Sequence, residues 1–106
     1  MMFPKKEFEK RFRDILDEMD EVLENADLDE DVLDQFTELN AESEDALFLL
    51  SEISPDEEDA AEAFEDALDE FIALCDDYRE LSESIAEIAP QVQRLEMLIE
   101  MMKNNI

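Results

Sequence analysis

Apolar residues recur along the second half of the chain at alternating steps of four and three, without a break. This spacing places them on one stripe of a helix and is typical of helices that pack as in a coiled coil. The chain contains no glycine, which tight turns between strands usually require. The sequence therefore predicts an all-α fold, a bundle of three or four helices with coiled-coil-like heptad packing. The apolar stripe, hereafter the seam, consists of Ala60, Phe64, Ala67, Phe71, Leu74, Tyr78, Leu81, Ile85, Ile88, Val92, Leu95, Ile99 and Met102.

Two shorter segments in the first half carry the same spacing and predict helices over about 4–25 and 29–53. Ser43 interrupts the second segment. That segment is therefore either one helix with a local irregularity or two short helices, and we favour the single helix. The apolar positions are Phe8, Phe12, Ile15, Met19 and Val22 in the first segment, and Val32, Phe36, Leu39, Ala46, Leu50 and Ile53 in the second.

A long third helix is predicted to begin at the sequence Ser54-Pro55-Asp56-Glu57. The serine is a suitable N-cap, proline suits the first helical position, and Glu57 completes a capping box. Pro90 removes a backbone hydrogen bond and disfavours helical geometry at the preceding residue, yet the seam continues across it. We expect either one helix kinked at Pro90 or two helices, over about 55–89 and 90–103. Residues 1–106 should form a single helical domain.

Charge is the second constraint, because 34 acids and 8 bases give a net charge of −26. From Asp14 to Tyr78 there are 27 acids and neither lysine nor arginine. A small domain needs a net charge of only about 2–8 for solubility. Self-repulsion of this size destabilises a compact fold, so solubility does not account for it.

Catalytic chemistry is largely excluded by the absence of histidine. Ser–His and Cys–His pairs, histidine bases and histidine metal ligands are all impossible. The single cysteine, Cys75, follows the seam residue Leu74 and is interpreted as a small buried hydrophobe. We expect no enzymatic activity, no cofactor and no specific metal site.

One stretch imitates a calcium-binding loop. Asp27, Asp29, Asp31 and Glu38 fall at positions 1, 3, 5 and 12 of an EF-hand. The sixth position requires glycine and holds Val32. A helix cap explains these acids better than calcium binding does.

The compartment is inferred from what the sequence lacks. One cysteine cannot form an internal disulfide, and the longest apolar run falls far short of the ~20 residues of a membrane span. The N-terminus has no apolar region of the kind that a secretory signal contains. We expect a cytoplasmic protein, in the host-cell cytoplasm if it is viral, without a membrane partner.

Acids of the third helix lie opposite the seam. Eleven acids occur between Asp56 and Asp77; over about 33 Å of helix this is one charge per ~3 Å. A single DNA strand carries one phosphate per ~3.4 Å. The first helix repeats the pattern at lower density. The predicted acidic face for partner binding consists of Asp17, Asp20, Glu21, Glu24, Glu58, Asp59, Glu62, Glu65, Asp66, Asp69, Glu70, Asp76 and Asp77.

Small size, helicity and this charge together resemble the acidic nucleic-acid mimics. That class includes small phage and mobile-element proteins that block restriction, CRISPR or other DNA-binding machinery. The resemblance implies a basic, nucleic-acid-binding protein as partner, whose access to DNA or RNA the chain would block without touching nucleic acid itself.

The alternative function is that of a helical adaptor or oligomerisation protein that works through its apolar seam. Packing along the seam within the chain or in a homodimer is open at this point. Phe48 and Leu49 lie off the apolar spacing, and we favour their burial or a homodimer interface over partner capture. The seam residues expected to carry assembly are Phe64, Phe71, Leu74, Tyr78, Leu81, Ile85 and Ile88.

Overall fold

The computed structural model describes residues 4–54 and 56–105, which form four α-helices packed compactly together. A 3-10 turn at Ala86–Ile88 joins the last two, and the described residues contain no strand. The predicted all-α fold and helical bundle are thus confirmed. The helices are α1 (Lys5–Glu24), α2 (Glu30–Glu52), α3 (Ala60–Ser84) and α4 (Ala89–Asn105).

The four helices form an elongated body with Cα extents of 48 × 20 × 19 Å. Helix α2 packs against α1 and α3, and α4 packs against α3 and α1. The start of α1 is fixed to the end of α2, because Lys5 Nζ donates hydrogen bonds of 2.9 and 2.8 Å to the carbonyl oxygens of Ser51 and Ile53. Within the described residues no helix is long and apolar enough to cross a membrane.

The seam lies in the core of the single chain. Twelve of its thirteen residues are buried, and Ala67 is partly buried. Phe71 of α3 contacts two rings of α1, with centroid distances of 5.1 Å to Phe8 and 5.2 Å to Phe12. The seam is therefore buried between helices of the same chain.

Helix α2 is continuous, as we favoured, and Ser43 fits into it through hydrogen bonds. Its hydroxyl is fully buried, 2.8 Å from the Leu39 carbonyl oxygen and 3.1 Å from the Tyr78 hydroxyl. Tyr78 in turn donates a 2.7 Å hydrogen bond to Asn40 Oδ1. Burial raises the pKa of Tyr78 above its ordinary value, so its hydroxyl stays protonated as a donor. The break in the apolar pattern is a buried polar link between α2 and α3.

Helix α3 begins at Ala60, five residues later than the capping box predicts. Pro55 lies outside the described residues. Hydrogen bonds from Glu57 N to Ser54 O and from Ala60 N to Glu57 O span three residues and form turns. The acids at positions 56–59 are all exposed, so none of these four side chains attaches the segment to the core.

The chain leaves helical geometry at Ile85 and not at Pro90. Ile85 has φ −125° and ψ 84° and follows the last residue of α3. Pro90 lies in the first turn of α4, where the missing amide proton costs nothing because that position has no helical acceptor. The seam keeps its phase because Ile85 and Ile88 are both fully buried across the junction.

Candidate functional site

All thirteen acids of the predicted acidic face are exposed. Four lie on α1, two in the segment before α3, and seven on α3. Because residues 56–59 are not helical, the charge spacing needs correction. The seven acids between Ala60 and Asp77 extend over about 26 Å of helix, or one charge per ~4 Å. This spacing is still close to the ~3.4 Å between phosphates of one DNA strand.

The structure adds a groove between α2 and α3, which we call the acidic groove. Of the described residues that line it, eight are acids and none is lysine or arginine. Three of these acids, Asp66, Glu70 and Asp77, belong to the predicted face. The other five were not predicted to belong to that face, although Glu38 was noted as the last position of the calcium-loop imitation. The eight acids are Glu38, Glu42 and Asp45 from α2, and Asp66, Glu70, Asp77, Glu80 and Glu83 from α3.

The position of these acids follows from the apolar spacing. Six of the groove acids directly precede a residue that lies in the contact between the two helices. Consecutive residues of a helix are related by a rotation of about 100° about its axis, so each acid lies beside its contact residue on the helix surface. Such positions flank the buried stripe on one side. Because α2 and α3 pack antiparallel, the two flanking rows face the same groove. The pairs are Glu38–Leu39, Glu42–Ser43, Asp45–Ala46, Glu70–Phe71, Asp77–Tyr78 and Glu80–Leu81.

The remaining acids of the predicted face lie outside this groove. Glu62, Asp69 and Asp76 recur every seven residues along the outer side of α3. Asp76 is 3.5 Å from Arg79, which also donates a 2.6 Å hydrogen bond to Glu96 of α4. The acids of α1 lie on a different helix that does not line the groove. The thirteen acids of the predicted face therefore do not form one surface. They are distributed over several sides of the elongated body, and three of them line the acidic groove.

Cations are concentrated away from the acidic groove. Glu7 and Arg11, four residues apart on α1, form an ion pair at 2.7 Å. Arg13 contacts Glu44 of α2 at 3.5 Å. Arg94 of α4 pairs with Glu18 of α1. None of these contacts involves an acid that lines the groove.

The charge along the molecule approaches that of duplex DNA. All 26 net charges lie on described residues, since positions 1–3, 55 and 106 have no ionisable side chain. Distributed over the 48 Å length of the body, they give about one charge per 1.8 Å. Duplex DNA has one charge per ~1.7 Å of its axis.

Crowding of carboxylates is reflected in Asp20, an exposed acid of α1. Partial burial raises the pKa of Asp20 above 3.8, and the charges of Asp17 and Glu24 raise it further. Within the described residues this carboxylate forms no ion pair with a cation. Partner lysines or arginines would relieve that repulsion.

Burial suppresses ionisation of the one cysteine. Cys75 is buried, and burial raises its pKa to about 11, so the thiol is protonated at neutral pH. This agrees with its interpretation as a buried hydrophobe. In the part of the chain that the structure describes, no three acidic or cysteine side chains converge on a metal site. Of the acids attributed to a helix cap, Asp27 and Asp29 precede α2, while Asp31 and Glu38 lie within it. Asp29 occupies the N-cap position, but its side chain makes no capping hydrogen bond.

The apolar residues expected to carry assembly are covered by the chain itself. Phe71, Tyr78, Ile85 and Ile88 are fully buried, and the other three are at most 6% exposed. By contrast, Phe48 and Leu49 are 60% and 56% exposed. Of the two favoured alternatives, burial within the chain is therefore wrong, and a homodimer interface stays a prediction.

No protein-family model, no curated protein and no solved structure matches the chain.

Proposed function

We propose that this protein is an acidic nucleic-acid mimic, which binds a basic nucleic-acid-binding protein and blocks its access to DNA or RNA. The observation that carries the proposal is the charge density. Net negative charge runs along the 48 Å body at about the linear density of duplex DNA. A basic groove in which the partner binds DNA or RNA would therefore face a similar linear density of negative charge on this protein.

The acidic groove gives this charge a defined shape. Its α3 side runs from Asp66 to Glu83, about 26 Å at ~1.5 Å per residue, and Glu38 to Asp45 face it from α2. Since none of the eight acids is paired with a cation within the described residues, a partner need not displace internal ion pairs. Lysine and arginine side chains of the partner would find carboxylates on both sides.

Binding of this kind has a known physical basis. Strong charge complementarity steers encounters and accelerates association. Counterions released from both surfaces would favour the complex at low salt, as they favour protein–DNA binding. The rigid helices hold the carboxylates in place beforehand, which reduces the ordering cost of association.

The alternative function, an adaptor that acts through the seam, receives less support. Its proposed contact residues are at most 6% exposed in the folded chain. A second copy or a partner could reach them only if the helices separated. Homodimerisation stays a prediction, and the exposed Phe48 and Leu49 are the candidate surface for it.

The test begins with capture of partners by the tagged full chain from lysate of the cells in which it occurs. A captured nucleic-acid-binding protein is then purified and titrated against labelled DNA or RNA that it binds. We expect the chain to displace the nucleic acid, and its inhibition to weaken steeply as salt rises.

Two variants with equal change in charge locate the surface. The groove variant carries Asp66→Asn, Glu70→Gln and Asp77→Asn, and the control carries Asp27→Asn, Glu87→Gln and Glu100→Gln. All six positions are exposed. We expect the groove variant to lose about tenfold or more in inhibition, and the control to lose much less. Captured partners whose binding changes neither with salt nor in either variant would instead support the adaptor function.

A further inference from the structure

The acidic groove becomes apolar at one end. There Leu49 of α2 faces small residues of α3 across the groove, while Asp66 and Glu70 remain as acids at its edge. Leu49 is 56% exposed, so its side chain is accessible. We call this region the apolar end; its floor and walls are Ala46, Leu49, Ile53, Ala63 and Ala67.

This change interrupts the pattern that places acids in the groove. On α2, the residues directly before the contact positions are Glu38, Glu42 and Asp45, and the next in the series is Leu49, before the buried Leu50. On α3, Ala63 precedes the buried Phe64 at the corresponding level. Both rows therefore hold an apolar residue at this level, although Glu52 before Ile53 and Asp59 before Ala60 follow at the next step, and Ala73 is a further apolar position of the α3 row.

Exposure of large apolar groups is unusual on this surface. Phe48, next to Leu49, is 60% exposed, and both side chains lie on a helix whose other outward positions are mostly polar or acidic. The energy of protein interfaces is concentrated in a few residues, often aromatic or arginine, that fill pockets from which surrounding contacts exclude water. Leu49, the small alanines and the two carboxylates form a recess that can receive such a residue.

We propose that the apolar end binds an apolar side chain of the basic partner, one that is flanked by arginine or lysine. This inference rests on the proposed function and adds a specificity contact to it. The alanines leave room for the incoming side chain, and Asp66 and Glu70 bind the cations beside it. No lysine or arginine lines the apolar end among the described residues, and the nearby Lys5 ammonium is bonded to the carbonyl oxygens of Ser51 and Ile53.

The contact would solve a problem of charge-only binding. Exposed charges are screened beyond ~8 Å at physiological ionic strength, and a polyanionic rod attracts basic surfaces of many kinds. Burial of an apolar side chain is far less sensitive to salt. It would let the protein distinguish a partner with an apolar residue in its basic groove from one with cations alone.

Two synthetic peptides of equal charge test the inference. Both contain six arginines, and they differ only in two central residues, which are leucine in one and serine in the other. Dissociation constants are measured by fluorescence anisotropy at low and at elevated salt. The full chain should bind the leucine peptide about tenfold more tightly than the serine peptide, and this ratio should persist at elevated salt while both affinities fall.

Three variants localise the effect. Leu49→Ser should reduce the preference for the leucine peptide to about twofold or less and leave binding of the serine peptide unchanged. Ala63→Leu should do the same by filling the groove, although Leu49 is intact. Leu33→Ser is the matched control, because Leu33 is also an exposed leucine of α2, 45% exposed, but does not line the groove. It should keep the full preference.

The outcomes separate this inference from the proposed function. If both peptides bind equally well, or if the preference survives in Leu49→Ser, the apolar contact is refuted and the charge-based function stands. If neither peptide binds at low salt, the proposed function fails, and the inference fails with it. Loss of preference in Leu49→Ser and Ala63→Leu, but not in Leu33→Ser, supports it.

Discussion

The groove between α2 and α3 and the groove between α1 and α4 differ in chemistry. The first is lined by eight acids and, among described residues, by no base. The second is lined by Arg11 and Arg94, by one acid, Asp14, and by apolar residues that include the exposed Met97. Seven of the eight bases belong to α1 and α4, and the eighth, Arg79, bonds to Glu96 of α4.

This difference shows how a chain of such charge can stay folded. Ion pairs cross the α1–α4 and α3–α4 contacts, from Arg94 to Glu18 and from Arg79 to Glu96. The α2–α3 contact has no such pair within the described residues and is instead joined by apolar packing and the Tyr78–Ser43–Asn40 hydrogen bonds. Exposed ion pairs contribute little stability in any case. Apolar burial must therefore offset the repulsion, and the acids of the groove remain available.

The largest expected effect would come from loss of packing at Phe71, which joins α3 to α1. Phe71→Ala should lower the free energy of unfolding by about 3–5 kcal/mol, because the ring is fully buried against Phe8 and Phe12. Urea denaturation at elevated salt measures the loss. Ile72→Ala, at the adjacent position that is 37% exposed, should cost less than about 1.5 kcal/mol. Equal losses would contradict the assignment of stability to the core.

The next effect concerns the polar link between α2 and α3. Tyr78→Phe removes the hydroxyl that bonds to Asn40 and Ser43, and should lower the free energy of unfolding by about 1–2 kcal/mol. Ser43→Ala should cost less, since the 2.7 Å bond from Tyr78 to Asn40 is retained. A Tyr78→Phe protein as stable as the original would show that this contact depends on apolar packing alone.

A smaller effect, opposite in sign, should distinguish the two grooves directly. The variant with Asp66→Asn, Glu70→Gln and Asp77→Asn should be more stable than the original by about 1 kcal/mol at low salt, because it loses like-charge repulsion. Glu18→Gln should not gain stability, because it breaks the pair with Arg94. Thermal unfolding at low and high salt tests both, and the gain of the groove variant should shrink with salt. If both variants gain stability, the two grooves do not differ in whether their acids are stabilised by ion pairs.

The apolar spacing predicts most of the fold because it reports helical structure directly. The seam correctly places Phe71, Tyr78 and Ile88 in a core. It fails at the junction, since the phase is the same whether the chain breaks at Ile85 or at Pro90. Proline is the stronger local signal, yet it is harmless in the first turn of a helix. The capping box likewise indicates that a helix begins nearby, but it does not show that the four acids at positions 56–59 are exposed and that the helix begins only after them.

The acidic groove could be predicted only in part. Exposure of Asp66, Glu70 and Asp77 follows from their position relative to the seam. The acids that face them, such as Glu42, require the knowledge that α2 packs antiparallel against α3. The repeated order of an acid followed by a contact residue was a usable signal, because it marks one side of both helices. Exposure of Leu49 was missed because an apolar residue off the stripe suggests burial in a central helix.

The smallest expected effect concerns Asp20, where repulsion and partial burial act on one carboxylate. Burial, with Asp17 and Glu24, raises its pKa above 3.8, so the folded protein binds a proton here more readily than the unfolded chain. The protonated group stabilises the fold fully below pH 3.8, and this contribution is lost as pH rises through the folded pKa. Asp20→Asn should therefore raise the melting temperature slightly at pH 7, and the gain should vanish near pH 3.

Calorimetry at both pH values measures this difference, and Glu21→Gln is the control, because it removes one charge from the adjacent exposed position. Elevated salt should reduce the part of the gain that comes from repulsion by Asp17 and Glu24, because salt screens charges in solvent. The part that comes from burial should remain, because salt changes the desolvation of the carboxylate far less. If Asp20→Asn lowers the melting temperature at pH 7, the carboxylate has a stabilising partner. The acids of α1 would then differ from those of the acidic groove, which have no cation partner within the described residues. If the gain persists near pH 3, it reflects the amide itself and not the removal of charge.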